Sequence, residues 1–433
     1  VLEREHMADE TFLRERTEGY PEFRATLSVY SPHWAEEITG VPAARIEALA
    51  RAYAAATAPA IVLGSGLTRM GNGGMTTRLS AYTGAWGRPG GGLCGCDHGA
   101  GPYIEETRVT RPDFRTQPGR SVNINALASA LCGSDTEPAV KSLYVYGSNP
   151  VGSICNQTGI VRGLAREDLF TVVHERFLTD TARYSDILLP ATFSVEQTDC
   201  YNAYGYRTFG VAQKVIEPAG ESKSNWNTFR LLAAAMGYEE PYFHRTEEEL
   251  LEELLDHPGA ELAALGPEAL ETLRQGGTVS SPFGDHQDIR TPSGKMRIVC
   301  PELPEAMPRY IPPYGGKDSL HLVAVPSCKT LNSIFLEQQG ETEEPILLVH
   351  PGEATRRNLA DSDMVLACND LAQVPFRLHV SEQVAPGTAA VPGIYAAAGK
   401  HLLVNALHHE RLSDMGEATT LNDNTVEICR AEA

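Results

Sequence analysis

At 433 residues, with 42% apolar and 21% charged residues, the chain is long for one core and ordinary for a globular protein, so two or three domains are expected. A formal net charge of −20 excludes nonspecific binding to nucleic acid or to an anionic membrane, both of which need clustered Lys and Arg. No apolar run approaches the length of about 20 residues that spans a bilayer. The start, Val1-Leu2-Glu3-Arg4-Glu5, has neither a basic leader region nor an initiator Met, so the chain is expected to begin inside a longer polypeptide. Nine Cys, an odd count without framework spacing, predict reduced thiols and a cytoplasmic location.

Residues 1–100 alternate helix and strand signals. Pro42, after Thr39-Gly40-Val41, marks a helix start, and Ile46, Leu49 and Tyr53 recur at helical spacing. Ala60-Ile61-Val62-Leu63 reads as a strand running into Gly64-Ser65-Gly66. After Asn72-Gly73-Gly74, a helix-like stretch passes Leu79, Tyr82 and Trp86. The run Gly87-Arg88-Pro89-Gly90-Gly91-Gly92 predicts a loop. Between about 120 and 315 a strand over 142–146, a short helix over 161–166, a strand over 171–175 and an apolar run over 187–189 predict βαβ units and a mainly parallel sheet. Residues 247–255 predict an amphipathic helix with Leu250, Leu251, Leu254 and Leu255 on one side and a solvated glutamate face on the other. From about 318 six short apolar runs, 320–325, 345–349, 364–367, 374–380, 388–391 and 425–429, predict a β-barrel. Pro301, Pro304, Pro308, Pro312 and Pro313 mark a boundary before it, giving three domains over 1–100, 101–315 and 316–433.

The most informative stretch is Leu143-Tyr144-Val145-Tyr146 running into Gly147-Ser148-Asn149-Pro150. It describes a buried strand stopping at a tight turn, where backbone N–H groups can face an anion such as pyrophosphate. A second strand ends at Glu175, in Val172-Val173-His174-Glu175, where a carboxylate can accept hydrogen bonds from a ribose or a base edge. An ordinary strand-to-helix turn would look the same. The residues beyond Glu175 decide between the two.

Phe177-Leu178-Thr179-Asp180-Thr181-Ala182, Ser185-Asp186-Ile187-Leu188-Leu189-Pro190-Ala191, Glu196 and Asn202-Ala203-Tyr204-Gly205-Tyr206-Arg207, in that order, resemble the molybdopterin oxidoreductase family, also called the dimethyl sulfoxide reductase family. Phe12-Leu13, Thr17-Glu18-Gly19-Tyr20, Ile38-Thr39-Gly40-Val41-Pro42, the glycine run from Gly84 to Gly92 and Thr291-Pro292-Ser293-Gly294-Lys295 look like further landmarks of it. The barrel segment, through Lys329-Thr330-Leu331-Asn332-Ser333, His350-Pro351-Gly352-Glu353-Ala354, Asn405-Ala406-Leu407 and Asp414-Met415-Gly416, resembles the terminal molybdopterin-dinucleotide-binding domain.

The resemblance implies an α/β chain of Rossmann-like αβα domains with mainly parallel sheets, then a six-stranded barrel of the double-psi type. Residues 1–100 become a partial Rossmann-like domain and 101–315 a molybdopterin-guanine-dinucleotide-binding domain. Two molybdopterin guanine dinucleotides would hold one molybdenum or tungsten for oxygen-atom, hydride or electron transfer. Gly147, Ser148 and Asn149 would lie near pyrophosphate, and Glu175, Thr179 and Asp180 near the guanosine. Lys329, Asn332, Ser333 and Asn405 would meet the pterin or phosphate portions. The residue types suit that task, because buried guanine needs acceptors for its N–H groups and pyrophosphate needs N–H donors and hydroxyls. Asp186 and Pro190 are expected to be structural.

Three positions depart from the family pattern: Asp180 where Glu is common, Asp199 in place of Gly, and Arg297 in place of an acid. The resemblance further implies a [4Fe–4S] cluster domain and the metal-ligating residue upstream of Val1, so no residue here is expected to be catalytic or to ligate the metal. The chain alone is expected to be inactive, and a truncated edge at 60–63 is expected to cause self-association or local disorder. Its partners would be a small-molecule substrate and an electron-transfer subunit. The alternative is a non-catalytic scaffold that has lost the pterin, as in the iron–sulfur subunit of respiratory complex I.

Cys94-Gly95-Cys96 with His98 lacks the second Cys pair of a zinc or cluster site and reads as loop. His174, His350, His408 and His409 read as structural, having no identifiable nucleophile or carboxylate partner. There is no Gly-x-Ser-x-Gly elbow and no Lys-Ser/Thr phosphate loop, which disfavours hydrolase, ATP-binding and nicotinamide-binding functions.

Overall fold

A computed structural model describes residues 1–71, 73–94, 103–133, 137–203, 206–282, 289, 291–303, 306–312, 314, 319–328, 331–335, 345–393, 402–414 and 416–431. The chain divides into two compact units, each discontinuous in sequence: Val1–Cys96 with Phe283–Tyr314 and Arg411–Asp423, and Asp97–Pro282 with Gly315–Glu410 and Asn424–Ala433.

In the first unit, Leu13, Tyr20, Phe23, Tyr82 and Ile298 form the core. Thr17–Glu18, from one landmark stretch, pairs there in parallel with Met296–Arg297, which directly follow another. Arg297, the departure from the family pattern, ion-pairs with Glu302. The helix Ala43–Ala55 starts after Pro42 as its sequence predicts. Its packing differs from the expected stripe: Leu49 is 71% exposed, while Ala50 and Ala54 pack on the core. The short side chains let the helix backbone approach the core closely. The glycine run is irregular over 87–91 as expected and departs from expectation only at Gly92. Gly92–Cys94 is a strand pairing in parallel with Ala60–Val62, and three residues headed by a glycine carry too few side chains for an alternation signal. The helix Leu79–Tyr82 stops short of Trp86.

The second unit holds the sheet that carries the strand-end turn. Strands β1 (Ser142–Tyr146), β2 (Phe170–Glu175) and β3 (Ile187–Pro190) are parallel and adjacent in that order. Helices α1 (Pro150–Ser153) and α2 (Gln157–Leu164) connect β1 to β2. The latter begins four residues before the expected start, because the Asn156 carboxamide caps it by accepting from Gly159 N at 3.1 Å. Gly163 sets its packing distance: a Cβ there would sit 2.4 Å from Leu131 Cβ, so only glycine lets α2 close on the helix Leu127–Cys132. Asp186, expected to be structural, accepts from Thr171 N at 2.6 Å and fixes the start of β2 against β3. The helix Glu247–Asp256 carries a full capping box at Thr246 and Glu249 and buries Leu254 and Leu255.

The six predicted apolar runs are the six strands of a closed barrel. Strands β4 (Leu320–Val325), β5 (Ile346–Val349), β6 (Met364–Cys368), β7 (Gln373–Val380), β8 (Thr388–Pro392) and β9 (Asn424–Arg430) close in the order β4-β8-β5-β7-β6-β9. Each strand alternates. In β6, Val365 and Ala367 are fully buried while Met364, Leu366 and Cys368 face outward, and Phe376 from β7 fills the same interior.

Candidate functional site

The site builds up from where β1 stops. Gly147 comes next with φ of 58°, a left-handed value that side chains disfavour, and nothing lies within 4 Å of the place its Cβ would occupy. Tyr146 pairs with His174, so Gly147 and Glu175 leave the same carboxyl edge of a parallel sheet, the edge at which open α/β sheets bind ligands. The Ser148 hydroxyl is half-buried and makes no hydrogen bond among the described residues. Glu175 is mostly buried, and its Oε1 accepts from Arg176 N at 2.7 Å. The Arg176 guanidinium lies over the Phe193 ring, 5.5 Å from its centroid.

Asn149, only 7% exposed, has a different posture. Its Oδ1 accepts from Thr181 N at 3.2 Å and from Thr181 Oγ1 at 2.7 Å, and Thr181 Oγ1 accepts from Val151 N at 3.0 Å. The Asn149 carbonyl is therefore committed to holding the 179–181 turn against α1. What this residue gives the turn is position. Thr179 Oγ1 accepts from Ala182 N at 3.2 Å, which shapes the same turn. Between them Asp180 is half-buried and meets no hydrogen-bond donor among the described residues; burial pushes its carboxyl above the usual range, with Arg183 pulling the other way. A carboxylate left in that condition is an acceptor waiting for a donor.

Asn405 joins the same assembly from the barrel side. Its Nδ2 donates to Val151 O at 3.0 Å and to Ile154 O at 2.7 Å, while its Oδ1 is buried without a partner among the described residues. The strap around it is pinned twice more, by Leu403 N donating to Gln157 Oε1 at 2.7 Å and by Asn156 N donating to His408 O at 2.9 Å. Glu410 accepts from Ser129 N and Oγ at 3.1 and 2.6 Å.

Seven of the ten sequence-predicted positions thus gather around the carboxyl edge of the sheet and α1: Gly147, Ser148, Asn149, Glu175, Thr179, Asp180 and Asn405. Asn332 and Ser333 lie in a separate turn closed between Leu331 and Ile334, and no described hydrogen bond joins them to this group. Lys329 lies outside the described residues, as do Gly95, Cys96 and His98 of the considered chelate. Sequence reasoning passed over Thr181, Gln157 and Glu410. Thr181 stood inside a quoted motif, whereas the other two carried no local signal.

His174, His350 and His409 hold structure, and His409 departs from expectation in having a carboxylate partner, Asp370. His174 Nε2 lies 3.1 Å from Lys223 O, His350 Nδ1 caps the helix Pro351–Arg356 by accepting from Gly352 N at 3.1 Å, and His409 sits between Asp370 at 2.8 Å and Asn424 at 2.9 Å. Among the described residues no three His, Cys, Asp or Glu side chains converge to hold a metal, and no helix is long and apolar enough to cross a membrane.

Comparison with known proteins identifies the family and the fold. The family model for molybdopterin oxidoreductase matches residues 35–235, and the one for the molybdopterin dinucleotide binding domain matches residues 328–425. A probable oxidoreductase of Bacillus subtilis, YoaE, is 36% identical over 99% of this chain and 65% of its own length. The alpha subunit of F420-dependent formate dehydrogenase 1 from Methanococcus maripaludis is 24% identical over 94% of this chain and 64% of its own. The solved structure of acetylene hydratase from Pelobacter acetylenicus covers 99% of this chain and 69% of its own at a TM-score of 0.74 and 20% identity, which shows a shared fold. The chain thus spans about 65% of the length of these curated relatives. With two family models covering more than half of it, the landmark motifs in order and the sheet and barrel in place, the chain belongs to the molybdopterin oxidoreductase family.

Proposed function

We propose that this chain binds molybdopterin guanine dinucleotide at the carboxyl edge of the β1-β2-β3 sheet, as part of a longer molybdenum or tungsten oxidoreductase. One observation carries the reading: Asp180, half-buried and without a donor among the described residues, lies on the turn that Asn149 clamps beside the open left-handed turn at Gly147. The donor set fits the group. Guanine brings N–H donors to Asp180 and Glu175, and pyrophosphate needs the unencumbered backbone of Gly147 and the Ser148 hydroxyl. When bound, the cofactor supplies oxygen-atom or hydride transfer at its metal. The residues of this chain bind it, orient it and exclude water from the guanosine end.

The second dinucleotide would take the barrel face, with Lys329, Asn332 and Ser333 at its pterin or phosphate portions. A [4Fe–4S] cluster, the metal ligand and an electron-transfer subunit belong to the longer protein in this reading. The formate dehydrogenase relative is named as an alpha subunit, which supports a partner of that kind. The substrate is a small molecule whose identity the fold leaves open, since a protein named as a hydratase shares it. Without the remaining polypeptide the chain is inactive.

The test is metal analysis and fluorescence of oxidised pterin on the full-length protein, with Gly147→Val and Asp180→Asn as variants. Bound molybdenum or tungsten, and pterin lost in both variants, are the expected results. Full-length protein free of both metals, or full pterin retention in the double variant, overturns the proposal.

A further inference from the structure

The barrel carries a second feature that the cofactor reading does not use. In the antiparallel pair of β6 and β9, Leu366 lies opposite Cys429 and Cys368 opposite Glu427. Val365 and Ala367 fill the interior together with Val426 and Ile428, so the pleat turns Leu366, Cys368, Glu427 and Cys429 to the outer wall. Cys368 and Cys429 are therefore diagonal neighbours on one face of the barrel wall. Cys429 is exposed and Cys368 half-buried, so the pair opens to solvent.

Geometry discriminates between the things two such thiols can do. Diagonal positions in an antiparallel pair stand roughly 7–8 Å apart at Cα, and a disulfide needs no more than about 7 Å, so closing one requires the two strands to shift. A metal ion bridging two thiolates is less demanding, since two bonds of about 2.3 Å set sulfurs up to roughly 4.6 Å apart. Zinc wants four ligands, and no third His, Cys, Asp or Glu among the described residues converges on the pair, Glu427 included. Soft thiolate ligation by two groups alone suits a low-coordinate, thiophilic ion.

We propose that Cys368 and Cys429 form a two-thiolate site for a soft monovalent metal ion of the copper(I) class on the outer wall of the barrel. Binding forms two metal–sulfur bonds and releases both thiol protons, with no change of oxidation state, so uptake strengthens as pH rises. The inference is independent of the cofactor reading.

Two measurements test it on the intact chain under anaerobic, reducing conditions. In the first, copper(I) is titrated in competition with a chromophoric copper(I) chelator. The wild type is expected to withdraw one ion per chain, and Cys368→Ser and Cys429→Ser each to lose it. The variants of the exposed thiols elsewhere, Cys94→Ser and Cys328→Ser, are expected to retain it. Retention by Cys368→Ser, or loss in Cys94→Ser or Cys328→Ser, overturns the proposal. In the second, dibromobimane, which fluoresces when it bridges two neighbouring thiols, is applied to the wild type and the product is digested. A cross-linked peptide joining Cys368 to Cys429 supports the site without relying on any variant folding. Absence of that peptide overturns it.

Discussion

At the scale of single residues, Asp180 and Asn405 make opposite demands on the same site. Asp180 is raised by burial, so ionising it costs folding free energy: the cost is absent below the ordinary aspartate range, accrues as pH climbs from that range to the raised folded value, and is constant above it. Replacing it with the isosteric amide should remove that cost. Asp180→Asn is therefore expected to raise the Tm of the cofactor-free chain near pH 7 and to leave it unchanged near pH 3, below the ordinary value of about 3.9. Equal Tm values at both pH values would mean that the carboxylate is solvated after all. Asn405 works for the fold instead. Its Nδ2 satisfies the carbonyls of Val151 and Ile154. At roughly 1 kcal/mol per bond, Asn405→Ala should cost about 2 kcal/mol in urea denaturation. A cost near zero would show that water replaces the amide.

At the scale of elements, the clearest contrast lies between the barrel and the strand-end turn. The barrel strands were legible in the sequence because each alternates buried and outward residues over four to eight positions, as β6 and β7 do. The strand Gly92–Cys94 was not legible, having a glycine and only two side chains with which to signal a period. The site divides along similar lines. Gly147, Glu175 and Asp180 could be found because strand ends and turns leave local marks. The Thr181–Asn149 clamp and the Gln157 and Glu410 pins could not, because each joins residues distant in sequence and hydrogen-bond pairing of that kind leaves no periodicity. Two substitutions probe these elements. Gly147→Ala meets open space, so its cost is conformational alone, about 1–2 kcal/mol for a left-handed residue. Phe376→Ala empties the barrel interior and should cost about 3–5 kcal/mol. Chemical denaturation that ranked the two in the reverse order would contradict the assignment of the barrel as a tightly packed core.

At the scale of the whole molecule, charge and exposed apolar surface oppose each other. The edge strand β3 exposes Ile187 and Leu188, and in the first unit Val62 is 74% exposed on another short strand. Unpaired apolar edges of this kind favour association with a second chain. A formal charge of −20 works against it, because every approach of two copies brings like charges together. The balance should therefore respond to anything that weakens repulsion. Raising salt shortens the screening length from about 30 Å at 0.01 M to about 10 Å at 0.1 M, and lowering the pH toward the sequence pI of about 5.1 removes net charge. Sedimentation velocity on the isolated chain should accordingly show a mean sedimentation coefficient that increases with salt and again as pH falls toward the pI. Adding charge to the edge with Leu188→Lys should reduce that increase, since an edge lysine disfavours strand pairing even as it lowers the net negative charge. An unchanged increase in Leu188→Lys would move the associating surface away from β3, and a coefficient independent of both salt and pH would show that the exposed strands do not associate at all.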